Sequence, residues 1–216
     1  MILLKSEKHK VSPIVSDLNF LTEQQCDDII KLSKKFYLRS GGIGDAKSEN
    51  NLNIKGDYQK KIFQQDYSPG IRKSEIRWFD LDDSTSWIYE KLIKTINRIN
   101  FENYGMSLKY IETMQFTEYS GLHESYYREH NDCGNIHDQS NFVDIRKLSF
   151  SIQLSEEDSY KGGELEITNW DESIFVVPKQ KGSITFFLSD MNHQVKPVTK
   201  GIRYSLVGWV NGPNIK

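Results

Sequence analysis

The sequence predicts an α+β fold that is mainly β, with helices in its first half and a β-sandwich or jelly-roll after them. Three observations carry this. From about residue 108 the chain becomes a series of short strand-like runs separated by turn residues. Upstream, two stretches instead place apolar residues at helical spacing. Aromatic residues make up 12% of the chain, with eleven Tyr and eleven Phe, and such side chains suit pleated surfaces.

The first helix is expected within FLTEQQCDDIIKLSKKF. Thr22 is a capping residue, Gln25 three positions on completes a capping box, and Ile29, Leu32 and Phe36 share one face. Residues 40–70 are polar and rich in Gly and Asn. A loop of that length in a compact domain is either functional or a plain surface excursion, and a lid over a site is the functional reading. IRKSEIRWF then reads as a strand. DDSTSWIYEKLIKTINRIN reads as a second helix, with Ile88, Leu92, Ile96 and Ile99 along one face. The β-rich half follows as KYIETMQFTEY, RKLSFSIQL, GGELEIT, SIFVVP, GSITFFL, HQVKPV and RYSLVGWV, punctuated at Gly162-Gly163, Pro178 and Gly182. Phe186, Phe187 and Leu188 precede His193, so some of them face the interior.

The length of 216 residues suits a single domain spanning residues 1–216, with a helical, lid-bearing part over about 1–107 and a jelly-roll core over about 108–213. Net charge is −2, which provides no basic field for general nucleic-acid binding, although a small nucleotide substrate stays open. Cys26 and Cys133 form neither a metal-type pair nor a disulfide framework and fit a reducing compartment. The opening MILLKSEKHK is too short in its apolar part for a signal-peptide core or a membrane span, so a cytoplasmic protein without membrane association is expected.

Glu129-His130-Asn131-Asp132 sits in the β-rich half. In extended chain, residues i and i+2 point the same way, so His130 and Asp132 can converge on one point. His193 opens a later strand. Two imidazoles and one carboxylate make the facial triad of non-haem Fe(II) oxygenases, which leaves coordination positions open. His-x-Asp alone is more often a surface pair. Arg203, ten residues after His193, adds the fixed, always-charged fork that a buried co-substrate carboxylate requires. His123 and His137 have no carboxylate two residues on, and His9 lies in a charged segment. A Zn or Mn cupin is the rival metal reading, and the spacing of Arg203 disfavours it.

The runs RKLSFSIQLSEEDSYKGGELEI and SDMNHQVKPVTKGIRYSLVGWVNGP closely resemble the Fe(II)/2-oxoglutarate hydroxylases of the prolyl 4-hydroxylase superfamily, nearest to the PKHD-type hydroxylases of bacteria and phages. The resemblance covers roughly residues 72–213. It implies a double-stranded β-helix with the N-terminal helices packed on the major sheet. It implies iron on His130, Asp132 and His193, with 2-oxoglutarate and O2 as co-substrates and ascorbate as an optional reductant. Tyr119 matches a tyrosine that in relatives hydrogen-bonds the 2-oxoglutarate tail, Gln153 and Leu165 match positions lining the co-substrate pocket, and Val195 and Trp209 match residues near the metal and the pocket mouth. Arg72, Trp78, Tyr127 and Arg146 match the groove for the prime substrate. The implied reaction is hydroxylation of a prolyl residue in a peptide or protein, with succinate and CO2 as co-products. The same chemistry on a free amino acid, lipid or nucleotide stays open, as does a non-catalytic jelly-roll binding module. Glu129 departs from the family, where many members carry an aromatic before the first His.

Overall fold

The computed structural model describes residues 12–40, 70–133 and 144–214. The expected lid over 40–70 falls, apart from its ends, outside the described residues, as do His9 and His137. Among the described residues the strands are β1 (Ile14–Asp17), β2 (Arg39–Ser40), β3 (Arg72–Lys73), β4 (Glu75–Phe79), β5 (Tyr110–Ile111), β6 (Met114–Ser120), β7 (Tyr126–His130) and β8 (Asp144–Gln153). They continue as β9 (Lys161–Gly162), β10 (Leu165–Thr168), β11 (Ile174–Val176), β12 (Ile184–Leu188), β13 (His193–Val195), β14 (Val198–Lys200) and β15 (Ile202–Pro213). Among the described residues there are two α-helices, α1 (Glu23–Ser33) and α2 (Ser86–Ile99), and a π-turn over Asn100–Tyr104 extends α2.

The helices begin where their local chemistry places them. Thr22 Oγ1 accepts the Gln25 N–H at 3.2 Å, and Gln25 Oε1 accepts the Thr22 N–H at 3.1 Å. This reciprocal pair satisfies two of the amide donors that a helix start leaves unpaired. Before α2 the work falls to Asp82, whose Oδ1 accepts the N–H groups of Ser84 and Thr85. Ile88, Leu92, Ile96 and Ile99 are all buried, as their spacing predicts. Each such burial contributes roughly 1.5–3 kcal/mol. The Tyr89 hydroxyl donates to the Phe79 carbonyl at 2.7 Å and accepts the Met114 N–H, which ties α2 to β4 and β6.

The strands pair antiparallel throughout the described residues, in a major sheet ordered β1-β12-β8-β15-β6-β4-β2, with β5 also on β15. A minor sheet is ordered β11-β10-β13-β7-β3, and β14 pairs with β9. The result is a jelly-roll with both helices on the major sheet. The outer face of that sheet presents Met114, Phe116, Leu148, Phe150, Ile152, Ile184, Phe186 and Leu206, which form one apolar core with α1 and α2. Because strand side chains alternate, the intervening residues point into the barrel. There Tyr119 and Phe187 join Leu165, Ile167 and Val195 in a second cluster.

Two predicted strands are divided. IRKSEIRWF breaks at Ser74: β3 pairs with β7 in the minor sheet and β4 with β6 in the major one. Arg72 turns inward at this crossing, and its Nε donates to Ser74 Oγ at 2.8 Å. KYIETMQFTEY breaks after Ile111, where the Glu112 N–H turns to the Trp209 carbonyl at 2.9 Å. RYSLVGWV proves to be part of the twelve-residue β15. No helix of the described residues is long and apolar enough to cross a membrane.

Candidate metal centre and co-substrate pocket

His130 ends β7 and His193 opens β13, and the two are direct partners across these strands. Asp132 stands just past the end of β7. Its N–H donates to the Ser189 carbonyl at 2.9 Å, which turns the carboxylate back toward the imidazoles. One potential ligand atom from each of the three residues lies within 4.8 Å of the other two. His130 Nε2 is 3.8 Å from Asp132 Oδ1, and His193 Nε2 is 3.6 Å from Asp132 Oδ2. The Nδ1 atoms are engaged elsewhere, with the Arg128 carbonyl at 2.8 Å and the Met191 carbonyl at 3.0 Å. A carbonyl accepts only from a protonated Nδ1, so both Nε2 lone pairs face the shared point. This donor set fits a divalent transition ion with open positions.

The electrostatics match. Burial, and then the neighbouring His193, push the His130 imidazole down to about 4. Burial opposes ionisation of Asp132, but His193, His130, the Ser149 hydroxyl and the Trp209 side chain outweigh it and hold the carboxyl below its ordinary range. Ser149 Oγ donates to Asp132 Oδ2 at 2.7 Å and is itself within 2.9 Å of Ser189 Oγ. The site therefore sets a neutral His130 beside an ionised Asp132 already oriented by its neighbours.

Arg203 lies opposite Tyr119 in the β15–β6 register, with its guanidinium 5.4 Å from the Tyr119 ring centre. It is 1% exposed, and its Nη2 has no hydrogen-bond partner. A buried guanidinium is tolerated only with a counter-group, so a carboxylate-bearing ligand fits here. Gly163 leaves room for the arginine: a Cβ there would lie 3.1 Å from Arg203 Cδ, and its φ of +65° also favours glycine. Gln153, Leu165 and Val195 are buried on the inner faces, with Leu165 and Val195 directly paired.

The four predicted groove residues fall into two stacks. Arg72 lies over the Tyr127 ring at 4.6 Å, and Tyr127 stacks on His130 at 3.6 Å. Arg72 is buried, with Nη1 and Nη2 reaching Gln115 and Thr117 on the facing sheet. Arg146 lies over the Trp209 ring at 4.1 Å, and Trp209 is 6.4 Å from Trp78. Glu112 clamps Arg146 through two contacts of 2.8 and 2.6 Å. The roles of Glu112 and Ser149 at this site have no local signal in the sequence. The alternation Ser149-x-Ser151-x-Gln153 between apolar residues was visible, but by itself it describes a solvent-facing strand edge. His123 sits exposed in a short 3₁₀ turn, Gly121–His123.

Residues 114–211 match the 2OG-Fe(II) oxygenase superfamily. The matched stretch is just under half of the chain and includes His130, Asp132, His193 and Arg203. A PKHD-type hydroxylase of Hyphomonas neptunium is 44% identical over 66 residues, which is 29% of this chain and 28% of that protein. The matched stretch thus spans under a third of the relative's length. Among solved structures, a Pseudomonas putida prolyl-4-hydroxylase superposes with a TM-score of 0.65 at 19% identity, covering 94% of each chain. A Trichoplax adhaerens prolyl hydroxylase, solved with a hypoxia inducible factor oxygen degradation domain peptide fragment, superposes with a TM-score of 0.65 at 16% identity. That match covers 92% of this chain and 83% of the other. These superpositions establish a shared fold.

Proposed function

We propose that this oxygenase-superfamily chain hydroxylates a prolyl residue in a peptide or protein, using Fe(II), 2-oxoglutarate and O2 and releasing succinate and CO2. The observation that carries the reading is the convergence of His130, Asp132 and His193 in one barrel with Arg203, whose buried Nη2 has no hydrogen-bond partner. His130 and His193 would hold the iron through Nε2, and Asp132 through its carboxylate. Iron and 2-oxoglutarate, when bound, supply an oxidant strong enough to break an unactivated C–H bond.

The chain's own residues do the rest. Arg203, backed by Tyr119, binds the far carboxylate of the co-substrate and so fixes its orientation. Leu165, Val195 and Phe187 exclude water from the space beside the metal cluster. Ser149 and Trp209 keep Asp132 ionised and aimed. Tyr127 and Trp78, with Trp209 beneath the Glu112-clamped Arg146, offer aromatic faces to a peptide. A peptide as prime substrate also agrees with the peptide bound to the Trichoplax relative.

The test is succinate formation with proline-containing peptides under Fe(II) dependence, coupled to mass spectrometry for gain of one oxygen on proline. Wild type is expected to give both signals and His130→Ala neither. Succinate coupled to oxygen gain on a free amino acid or nucleotide, and not on any peptide, would overturn the prolyl assignment. No iron-dependent succinate with any substrate would favour a binding module.

A further inference from the structure

The chain leaves strand geometry at Glu112, between β5 and β6, and the break turns this residue toward β15. Its N–H donates to the Trp209 carbonyl at 2.9 Å. Its carboxylate accepts three hydrogen bonds. Arg146 donates from Nε to Oε1 at 2.8 Å and from Nη2 to Oε2 at 2.6 Å, and Asn211 Nδ2 donates to Oε1 at 2.7 Å. Asn211 is also the register partner of Arg146 across β15 and β8, at the shift in register after Val210. Two parallel bonds from a planar guanidinium to one carboxylate fix both the position and the plane of the guanidinium.

That plane meets the metal cluster at two points. The guanidinium lies over the Trp209 ring at 4.1 Å, and its Nη1 donates to the Asp132 carbonyl at 3.4 Å. Trp209 is the register partner of Ser149, whose hydroxyl donates to Asp132 Oδ2 at 2.7 Å. The indole, which can only donate, hydrogen-bonds the same carboxylate. Glu112, Arg146, Trp209 and Asp132 thus form one path of contacts from a strand break to a candidate metal ligand. The side chains of Arg146 and Glu112 are 33% and 27% exposed. As a bare ion pair in that setting they would contribute little to stability and nothing to metal binding.

We propose that Glu112 is a positioning residue for the metal ligand Asp132, acting through Arg146 and the Trp209 indole. The inference rests on the oxygenase reading above and deepens it. With Glu112 in place, the clamped guanidinium covers one face of the indole and keeps the ring in the orientation that aims its N–H at the carboxylate. Without the clamp the guanidinium turns to water and the indole is free to rotate, which leaves the Asp132 carboxylate to the Ser149 hydroxyl. A control lies close by. Asp144, two residues before Arg146 on β8, pairs with Lys109 at 2.7 Å, a partly exposed ion pair outside this path.

The experiment is Mn(II) titration of the full chain, followed by the electron paramagnetic resonance signal of free Mn(II), beside urea denaturation of the metal-free protein. Glu112→Gln keeps the volume and one acceptor but sets an amide donor against an Arg146 donor. It is expected to bind Mn(II) roughly tenfold more weakly, the lower end of the range for groups that orient a metal ligand. Asp144→Asn should bind Mn(II) as wild type does, and the two metal-free variants should be equally stable. Trp209→Phe, which removes the indole donor, should weaken binding by a similar factor. The double variant Glu112→Gln/Trp209→Phe should bind no more weakly than the poorer single variant, because both changes cut one path. Unchanged binding in Glu112→Gln, an equal loss in Asp144→Asn, losses that multiply in the double variant, or a fall in metal-free stability peculiar to Glu112→Gln would overturn the proposal. If wild type shows no Mn(II) binding that His130→Ala abolishes, the metal-centre reading falls and takes this one with it. If wild type binds and Glu112→Gln matches it, only the role of Glu112 is lost.

Discussion

Replacing Arg203 with methionine separates binding from folding more sharply than any other change in this chain. The side chain is 1% exposed, its Nη2 is unpaired, and its stem packs against Gly163 in an apolar cluster. In the ligand-free protein the guanidinium is thus an under-compensated buried charge. Exchanging it for an apolar side chain of similar volume should leave stability unchanged or raise it. In the complex the same exchange strands a buried carboxylate, at a cost of about 2–5 kcal/mol. At 1.4 kcal/mol per factor of ten, that is roughly a thirtyfold to several-thousandfold loss of 2-oxoglutarate affinity. Anaerobic titration of the Fe(II)-loaded protein with 2-oxoglutarate measures the loss, and urea denaturation of the metal-free protein measures stability. Iron affinity should be retained, because Arg203 is not among the three converging ligand residues. Unchanged 2-oxoglutarate affinity would refute the pocket assignment. A large stability loss would refute the reading that the buried Nη2 leaves the charge under-compensated.

Two further outcomes follow from the metal cluster. Ser149→Ala removes the 2.7 Å hydrogen bond that orients Asp132 and should weaken iron binding about ten- to a hundredfold, measured by competition with a chelator. The metal-free protein should lose stability as pH falls from 6.5 toward 4. His130 in the folded state protonates only near 4, whereas its ordinary value is 6.5, so the unfolded chain binds the extra proton throughout that window. At 1.36 kcal/mol per pH unit the gap is worth about 3 kcal/mol, with the stability present above 6.5 and lost on acidification. Urea midpoints across this range should show the slope in wild type and a flatter line in His130→Asn.

The two helices were legible because their signals are local. A capping box and a 3.6-residue apolar repeat each lie within a few turns of chain, and Thr22, Gln25, Ile88, Leu92, Ile96 and Ile99 behave accordingly. The strand at 71–79 was read as one because alternation cannot show where the backbone leaves one sheet for another at Ser74. Its Arg72 looks like a solvated charge in sequence, yet it is buried between the sheets. Hydrogen bonds to Ser74, Gln115 and Thr117 and the face of Tyr127 replace its water.

By itself the sequence determined the mainly β class, the capped helices and the residue types of a His-x-Asp, distal His and Arg constellation. Those are matters of composition and spacing along the chain. Tertiary structure alone decided that His193 pairs with His130, and that Ser149 holds Asp132. It also brought the Arg203 stem and the Tyr160 ring against the same glycine, Gly163. The physical reason is that the major sheet is buried on both faces. Its outer residues pack on helices, while its inner ones, though polar, face the minor sheet rather than water. Periodicity records that two faces differ, and only strand register states what each face meets.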